Sequence, residues 1–162
     1  MAPGFTLIEL MVVMLLITIM FAVTIPRLST NVGQDPRKRT TRWLMNTISA
    51  LRSAAMEKQK SQILVVDLDE KRFYVADAEM NEEAKSEAAK GGFALPSSLH
   101  LIEVQYPNKK SVGSGTAEIV FYPGGFSEQA AINMETDDNE RFCFKVEPLL
   151  PRIKVVEDWI RY

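Results

Sequence analysis

The 162-residue sequence predicts an α+β protein in which a long N-terminal helix is packed on a mainly antiparallel β-sheet head. Three observations lead to this prediction. An apolar run fills residues 5–25, and a stripe of apolar residues with helical spacing follows between residues 37 and 60. Beyond residue 60 the apolar residues alternate with a period of two, which is typical of strands. The first half of the helix is predicted to span a membrane and the second half to be amphipathic.

The apolar run over residues 5–25 contains one charged residue, Glu9, and is followed directly by Pro26. A transmembrane helix needs about 20 apolar residues, so this run is long enough to cross a bilayer. A cleaved secretory peptide is the main alternative, but it has a basic start and an apolar core of about 7–15 residues. This run is longer, and no Lys or Arg precedes it. We therefore predict a membrane-spanning helix over residues 5–26.

A break is predicted between the two helical halves, over residues 31–36. Gly33 is a poor helix former, and Asp35-Pro36 is typical of an N-cap followed by a first helical residue. The second helix runs from residue 37 to about residue 60, and its apolar stripe comprises Leu44, Ile48, Leu51 and Ala55. Its basic side chains lie mostly off this stripe and are predicted to be solvated: Arg37, Lys38, Arg39, Arg42 and Arg52.

Residues 61–162 are predicted to form a β-rich head. A hairpin is expected from strands at 63–68 and 72–76, because the polar residues Asp69, Glu70 and Lys71 separate them. Residues 78–92 are predicted to be a loop that can contain a turn or two of helix. Five further strands are expected at 99–106, 117–122, 130–134, 142–146 and 152–156. The simplest architecture lays the amphipathic helix across one face of one antiparallel sheet.

Charge is distributed unevenly along the chain. Residues 27–60 hold eight Lys or Arg against two acids, whereas residues 61–162 hold eleven against eighteen. The basic stem, residues 27–60, suits a position near anionic lipid headgroups. The acidic head argues against a nucleic-acid partner, because nucleic-acid binding needs a continuous basic face.

No enzyme or metal site is predicted from the head, and no cofactor is expected. His100 alternates with apolar residues in a predicted strand and has no second histidine to complete a metal site. Cys143 cannot form an internal disulfide and is predicted to be a small buried strand residue rather than a reactive thiol. Two aromatic residues near the C-terminus, Trp159 and Tyr162, could dock on the head or on a neighbouring subunit, and packing onto the head is the expectation.

The N-terminal residues Gly4-Phe5-Thr6-Leu7-Ile8-Glu9, the apolar run and Pro26 resemble the N-terminal signature of type IV pilins and type II secretion pseudopilins. In that family a membrane aspartyl peptidase, the prepilin peptidase, cuts after the glycine and N-methylates the new terminal phenylalanine. The resemblance implies that residues 1–4 are a leader peptide, that the cut follows Gly4 and that Phe5 is methylated. Glu9 and Pro26 also match the family's pattern and are implied in filament assembly.

The carboxylate of Glu9 is a costly group inside a membrane. On insertion scales an acidic residue at the helix centre costs about 2.5–3.5 kcal/mol. Residues 1–26 contain no Lys or Arg, so the α-amino group of Phe5 is the candidate cation, either in the same chain or in a neighbouring subunit. Pairing with a neighbour would fix the axial register of a filament. The alternative is that Glu9 lies at the membrane interface, where its cost is small.

A second resemblance lies in the head, where residues 119–127 contain Phe121-Tyr122-Pro123-Gly124-Gly125. This stretch is similar to the F-x-P-x-G segment of H-type minor pseudopilins, in which a strand turns back sharply. A generic hairpin is the alternative. Pro123 and the two glycines suit a tight turn.

The family resemblance also raises calcium as a ligand, because major pseudopilins bind it in their heads. The acidic run at residues 137–140 lacks the spacing of a preformed calcium loop and is predicted to be a solvated turn. The chain further lacks the C-terminal pair of cysteines that bounds a loop in true pilins, which favours a pseudopilin.

The resemblances together imply a minor pseudopilin in the bacterial inner membrane, with a single pass and a periplasmic head. The leader lacks a basic residue and the basic cluster follows the apolar run, so the positive-inside rule alone places the head in the cytoplasm. The motif favours the periplasm. The implied partners are other pseudopilins or pilins, the prepilin peptidase and the inner-membrane assembly platform. The alternative is a minor type IV pilin that acts in pilus assembly or DNA uptake.

Overall fold

The computed structural model describes residues 7–29 and 35–162. The chain divides into two compact units, Met1–Asp35 and Pro36–Tyr162. The first unit contains helix α1, Leu7–Ser29, which continues past Pro26. The predicted break at residues 31–36 lies mostly outside the described residues. No helix within the described ranges has the length and apolarity that a membrane span requires, so the predicted span stays a prediction.

Helix α2, Pro36–Lys58, begins the second unit at the predicted proline. The predicted stripe is confirmed, since Leu44, Ile48, Leu51 and Ala55 are all buried. The prediction that the basic side chains are solvated holds for Arg42 but is wrong for Arg52, which is 6% exposed. Hydrogen-bond acceptors of the protein take the place of water around its guanidinium. These acceptors lie outside α2, so the sequence of the helix alone does not reveal them.

The head contains eight strands and one further helix, and the α+β fold class is confirmed. The strands are β1 (Gln62–Asp67), β2 (Arg72–Asp77), β3 (Phe93–Ala94), β4 (Leu99–Gln105), β5 (Thr116–Phe121), β6 (Ala130–Thr136), β7 (Arg141–Val146) and β8 (Lys154–Glu157). The predicted hairpin is confirmed, because β1 and β2 pair antiparallel with Asp67 opposite Arg72.

The strands form two antiparallel sheets rather than the single sheet of the simplest prediction. The first sheet has the order β3-β2-β1-β5 and the second has the order β4-β6-β7-β8. The division arises because β5 does not pair with β4 or β6, its neighbours in the sequence. It pairs with β1 instead, which places Glu118 opposite Val65. Periodicity identifies strands but does not choose their partners, so this division has no signal in the apolar pattern.

Residues 78–92 are more ordered than the predicted loop. They contain helix α3, Glu82–Lys90, whose N-cap Asn81 accepts a hydrogen bond from the backbone N–H of Ala84 at 2.9 Å. Helix α3 ends at a glycine pair that brings it close to the first sheet. A Cβ on Gly92 would lie 2.6 Å from the carbonyl oxygen of Phe73, so only glycine allows this approach.

The main core lies between α2 and the two sheets. Its largest fully buried side chains are aromatic, and the burial of each contributes about 1.5–3 kcal/mol; they are Phe73, Phe121, Phe142 and Phe144. A smaller cluster of Ile63, Val65, Tyr74 and Ala76 lies on the opposite face of the first sheet, under Ala88 and Ala89 of α3. The first sheet is therefore covered on both faces.

Candidate functional site

Helix α1 has an apolar surface that its own unit does not cover. Every large apolar side chain described in this helix is 41–75% exposed: Leu7, Ile8, Leu10, Met11, Val12, Val13, Met14, Leu15, Leu16, Ile17 and Met20. A continuous exposed apolar surface of this kind marks a site that contacts protein or membrane. The hydroxyl of Thr18 has a hydrogen-bond partner within the helix, because it donates to the carbonyl oxygen of Met14 at 2.8 Å.

Glu9 lies in the first turn of α1 and is exposed among apolar neighbours. It is the one charged residue between residues 7 and 20. A carboxylate in the first turn is favoured by the partial positive charge of the helix N-terminus. Gly4 and Phe5, the predicted processing residues, lie outside the described residues, so their geometry with Glu9 stays a prediction. Pro26 lies within α1, three residues before its end.

The second predicted feature, the turn after β5, is a tight reversal. The N–H of Gly125 donates to the carbonyl oxygen of Tyr122 at 3.0 Å, and Phe121 forms an antiparallel bridge with Ser127. Gly125 has a φ of +80°, which favours glycine. The ring of Phe126 stacks on Tyr122 with centroids 4.9 Å apart. The sharp turn predicted from Pro123 and the glycines is thus confirmed.

Arg52 of α2 connects this turn to the loop after β7. From Nη1 it donates to the carbonyl oxygens of Gly125 at 3.1 Å and Pro148 at 2.9 Å. From Nη2 it donates to the carbonyl oxygen of Glu147 at 2.7 Å and to Oγ of Ser127 at 3.1 Å. We name this set of contacts the Arg52 joint.

The charged side chain of Arg52 has a structural role. Burial lowers the pKa of the Arg52 guanidinium from its ordinary value, yet arginine stays charged at neutral pH. Its acceptors are three backbone carbonyls and a hydroxyl, so the guanidinium satisfies polar groups of two loops at once. Sequence reasoning missed this role. The available signal was the position of Arg52, which is four residues after Ile48 and therefore on the buried face of α2.

The residues that the sequence analysis did not assign to a catalytic or metal site have structural roles. His100 lies in β4 as predicted, and its Nε2 is 2.8 Å from Oδ1 of Asp137 in the exposed turn at residues 137–139. Within residues 7–29 and 35–162 no cluster of three acidic, histidine or cysteine side chains could hold a metal ion.

Cys143 is a buried residue of β7, as predicted, and burial raises the pKa of its thiol to about 11. Trp159 packs onto the head, as predicted, and donates from Nε1 to the carbonyl oxygen of Met134 at 2.9 Å.

Comparison with known protein families identifies the N-terminal segment. Residues 2–25 match the family described as the prokaryotic N-terminal methylation motif. This match covers the predicted processing residues Gly4 and Phe5 together with Glu9. No curated protein sequence matches the chain.

Comparison with solved structures identifies the fold. Two structures of the minor pseudopilin EpsH from the type 2 secretion system of Vibrio cholerae are similar to this chain, with TM-scores of 0.50 and 0.55. The matches cover 76% and 79% of this chain and 98% of each EpsH chain, at 8% and 9% sequence identity. The chain thus combines the N-terminal methylation motif with the fold of EpsH.

Proposed function

Because the chain joins an N-terminal methylation motif to the fold of a minor pseudopilin, we propose that it is a structural minor pseudopilin of a type II secretion system, without enzymatic activity. On this proposal the prepilin peptidase cuts after Gly4 and methylates the amine of Phe5. The mature chain is held in the bacterial inner membrane by α1, with its head in the periplasm, and joins a filament with other pseudopilins on an inner-membrane assembly platform.

The observation that carries the proposal is the apolar surface of α1. Eleven large apolar side chains of this helix are exposed over its described part. Burying each one is worth about 1.5–3 kcal/mol, so the helix gains strongly from a lipid or protein environment. A filament subunit needs both environments in turn, the membrane before assembly and neighbouring helices after it.

Glu9 is the one charged residue in the apolar part of this helix, residues 7–20. The cut after Gly4 creates an α-amino group at Phe5, four residues before Glu9. In a staggered filament we propose that the carboxylate binds the Phe5 amine of a neighbouring subunit. A buried charge pair tolerates few alternative registers, since shifting the helices would leave both charges without partners in an apolar medium.

The test is mass spectrometry of the full chain, purified from cells with and without a prepilin peptidase. With the peptidase we expect a mature chain that begins at N-methyl-Phe5, and without it a chain that still contains Gly4. Gly4→Val should block the cut, whereas Gly33→Val, the same change outside the motif, should leave it intact. An uncut chain in the presence of the peptidase contradicts the proposal.

A second measurement separates secretion from pilus assembly. Deletion of the gene in its own host should abolish release of the secreted proteins while surface pili remain. Loss of pili or of DNA uptake with normal secretion would instead identify a minor type IV pilin.

A further inference from the structure

The first turns of α2 carry a basic face that points away from the core. Successive residues of an α-helix are rotated by about 100°, which places Lys38, Arg39 and Arg42 on the side opposite the buried apolar stripe. All three side chains are exposed. Residues 36–56 contain no acidic residue, so the helix itself does not neutralise these charges. We name Lys38, Arg39 and Arg42 the basic arc.

The acidic head neutralises a different residue of the same turn. Nη2 of Arg37 lies 2.6 Å from Oε1 of Glu157 in β8, and its guanidinium lies 4.6 Å from the ring centroid of Phe142. Arg37 is therefore held against the second sheet. Within the described residues neither Arg39 nor Arg42 forms an ion pair. Two charges of the basic arc are thus available to an anionic partner.

An aromatic pair borders the basic arc. Trp43 lies one helical turn after Arg39, and its ring stacks on Phe93 of β3 with centroids 4.7 Å apart. The guanidinium of Arg39 lies 5.6 Å from the centroid of Phe93. Both rings are half-buried and pack against the core, so each has one apolar side and one side in water. Tryptophan beside a cationic side chain is typical of residues at the headgroup level of a membrane.

The basic arc follows the apolar helix closely in the sequence. Eight residues separate Ser29, the last residue of α1, from Lys38. If α1 lies in a bilayer, this short tether gives the arc a high effective concentration at the bilayer surface. Residues 61–162 hold eleven Lys or Arg against eighteen acids. An anionic surface therefore attracts the start of α2 and repels the head as a whole.

We propose that the basic arc binds the phosphate groups of anionic phospholipids, with Trp43 at the depth of the headgroups. The proposal rests on the proposed function, in which α1 is the membrane anchor, and it adds the recognition of lipid charge by α2. Guanidinium groups suit this partner, because their planar donors can bind two phosphate oxygens at once. Each basic residue close to an anionic surface strengthens association about fivefold.

The first test measures the contact in the full chain with a single tryptophan. Trp159→Phe leaves Trp43 as the only indole, because the sequence contains two tryptophans. The chain is reconstituted in nanodiscs of phosphatidylcholine with or without added phosphatidylglycerol, each with the same fraction of a lipid that carries a nitroxide on its headgroup. We expect quenching of Trp43 fluorescence to be at least about twofold stronger in the anionic discs.

Salt and lipid charge decide the outcome without any change to the basic arc. In about 1 M salt the Debye length falls to about 3 Å, so the additional quenching should disappear. Equal quenching in neutral and anionic discs overturns the proposal and favours an acidic protein as the partner of the arc. Additional quenching that persists in high salt overturns it as well, because the contact would then not be one of charge.

Matched double variants locate the contact. Arg39→Gln with Arg42→Gln should lower quenching in anionic discs to the level in neutral discs. Lys58→Gln with Arg152→Gln removes the same charge from two other exposed positions and should leave quenching unchanged. Lys58 is in the last turn of α2, about 28 Å from Arg39 along the helix axis, which is several Debye lengths. Equal losses in the two double variants would show a general effect of net charge and overturn the proposal.

Flotation with vesicles separates this proposal from the proposed function. A chain that floats with phosphatidylcholine vesicles is anchored by α1, and the quenching then tests the basic arc alone. A chain that does not float with them contradicts the anchor. Flotation with phosphatidylglycerol vesicles then tests the arc directly, and Arg39→Gln with Arg42→Gln should abolish it. Failure to float with either kind of vesicle contradicts both proposals, while the mass of the mature N-terminus reports separately on cleavage after Gly4.

Discussion

Arg52 of α2 donates a hydrogen bond at 2.9 Å to the carbonyl oxygen of Pro148, 96 residues later in the chain. The same guanidinium binds the turn after β5, so one side chain connects α2 to this turn and to the loop after β7. The stability of the head should therefore depend on this residue more than on any surface charge of α2.

Replacing Arg52 with Met keeps the length of the side chain and removes its donors. The carbonyl oxygens of Gly125, Glu147 and Pro148 lose a buried partner, and we expect the free energy of unfolding to fall by about 2–4 kcal/mol. Thermal unfolding followed by tryptophan fluorescence measures the change. Arg42→Met is the matched control, since Arg42 is exposed on the same helix, and it should change stability by less than about 0.5 kcal/mol. Equal effects of the two changes would refute the structural role of the joint.

Gly125→Ala should destabilise the turn that the Arg52 joint holds. The residue has a φ of +80°, and a Cβ there would lie 3.0 Å from Sδ of Met56. An L-residue in this conformation costs about 1–2 kcal/mol. Gly113→Ala provides the comparison, because its Cβ would meet nothing closer than 3.9 Å. Urea unfolding of both variants should show a lower midpoint for Gly125→Ala alone.

Glu9→Leu should leave α1 apolar and able to enter a membrane but unable to select its register in a filament. We expect normal cleavage and normal membrane association, with a drop of at least about tenfold in the filament fraction, which corresponds to about 1.4 kcal/mol. Sedimentation of sheared filaments followed by immunoblotting measures it. Thr18→Leu changes another polar residue of α1 and should assemble normally. Full assembly of the Glu9 variant would remove the register role.

The buried thiol of Cys143 makes stability depend on alkaline pH. Burial raises its pKa from 9.0 to about 11 in the folded chain. Between these values the unfolded thiol loses its proton and the folded thiol keeps it, so unfolding releases a proton. This contribution to stability is complete below pH 9 and is lost as the pH rises towards 11, by about 1 kcal/mol per pH unit. Thermal unfolding from pH 7 to pH 11 should show a shallower decline for Cys143→Ala, and parallel curves would contradict the effect.

The apolar pattern predicted much of the fold, because the apolar stripe of α2 is buried and the β-rich runs at β1 and β2 form strands, although β1 is buried on both faces. It failed where the determining interaction lies far away in sequence. Arg52 was predicted to be solvated as one of the basic residues that lie mostly off the apolar stripe, although its spacing from Ile48 put it on the buried face. The acceptors that make its burial favourable come from residues 125–148. The pairing of β5 with β1 likewise joins residues that are far apart in the sequence.

The N-terminal motif could be identified from sequence because it is local. Gly4, Phe5 and Glu9 lie within six consecutive residues, and the methylation-motif family matches them without any information on folding. Helix α3 also had local signals that the loop prediction passed over. Asn81 is a favoured N-cap residue, and Glu82 and Lys85 form an i,i+3 ion pair at 3.3 Å. The two hydrogen bonds between Asn133 and Ile160 had no such signal, since they form only when these distant residues come together.

The Arg52 joint has a mechanical consequence. Tension applied to the second unit at Pro36 is carried along α2 to a guanidinium with four acceptors on two distant loops. These bonds share one side chain, so a displacement of that side chain strains the contacts with both loops at once. The second unit should therefore resist unfolding that starts at its N-terminal end.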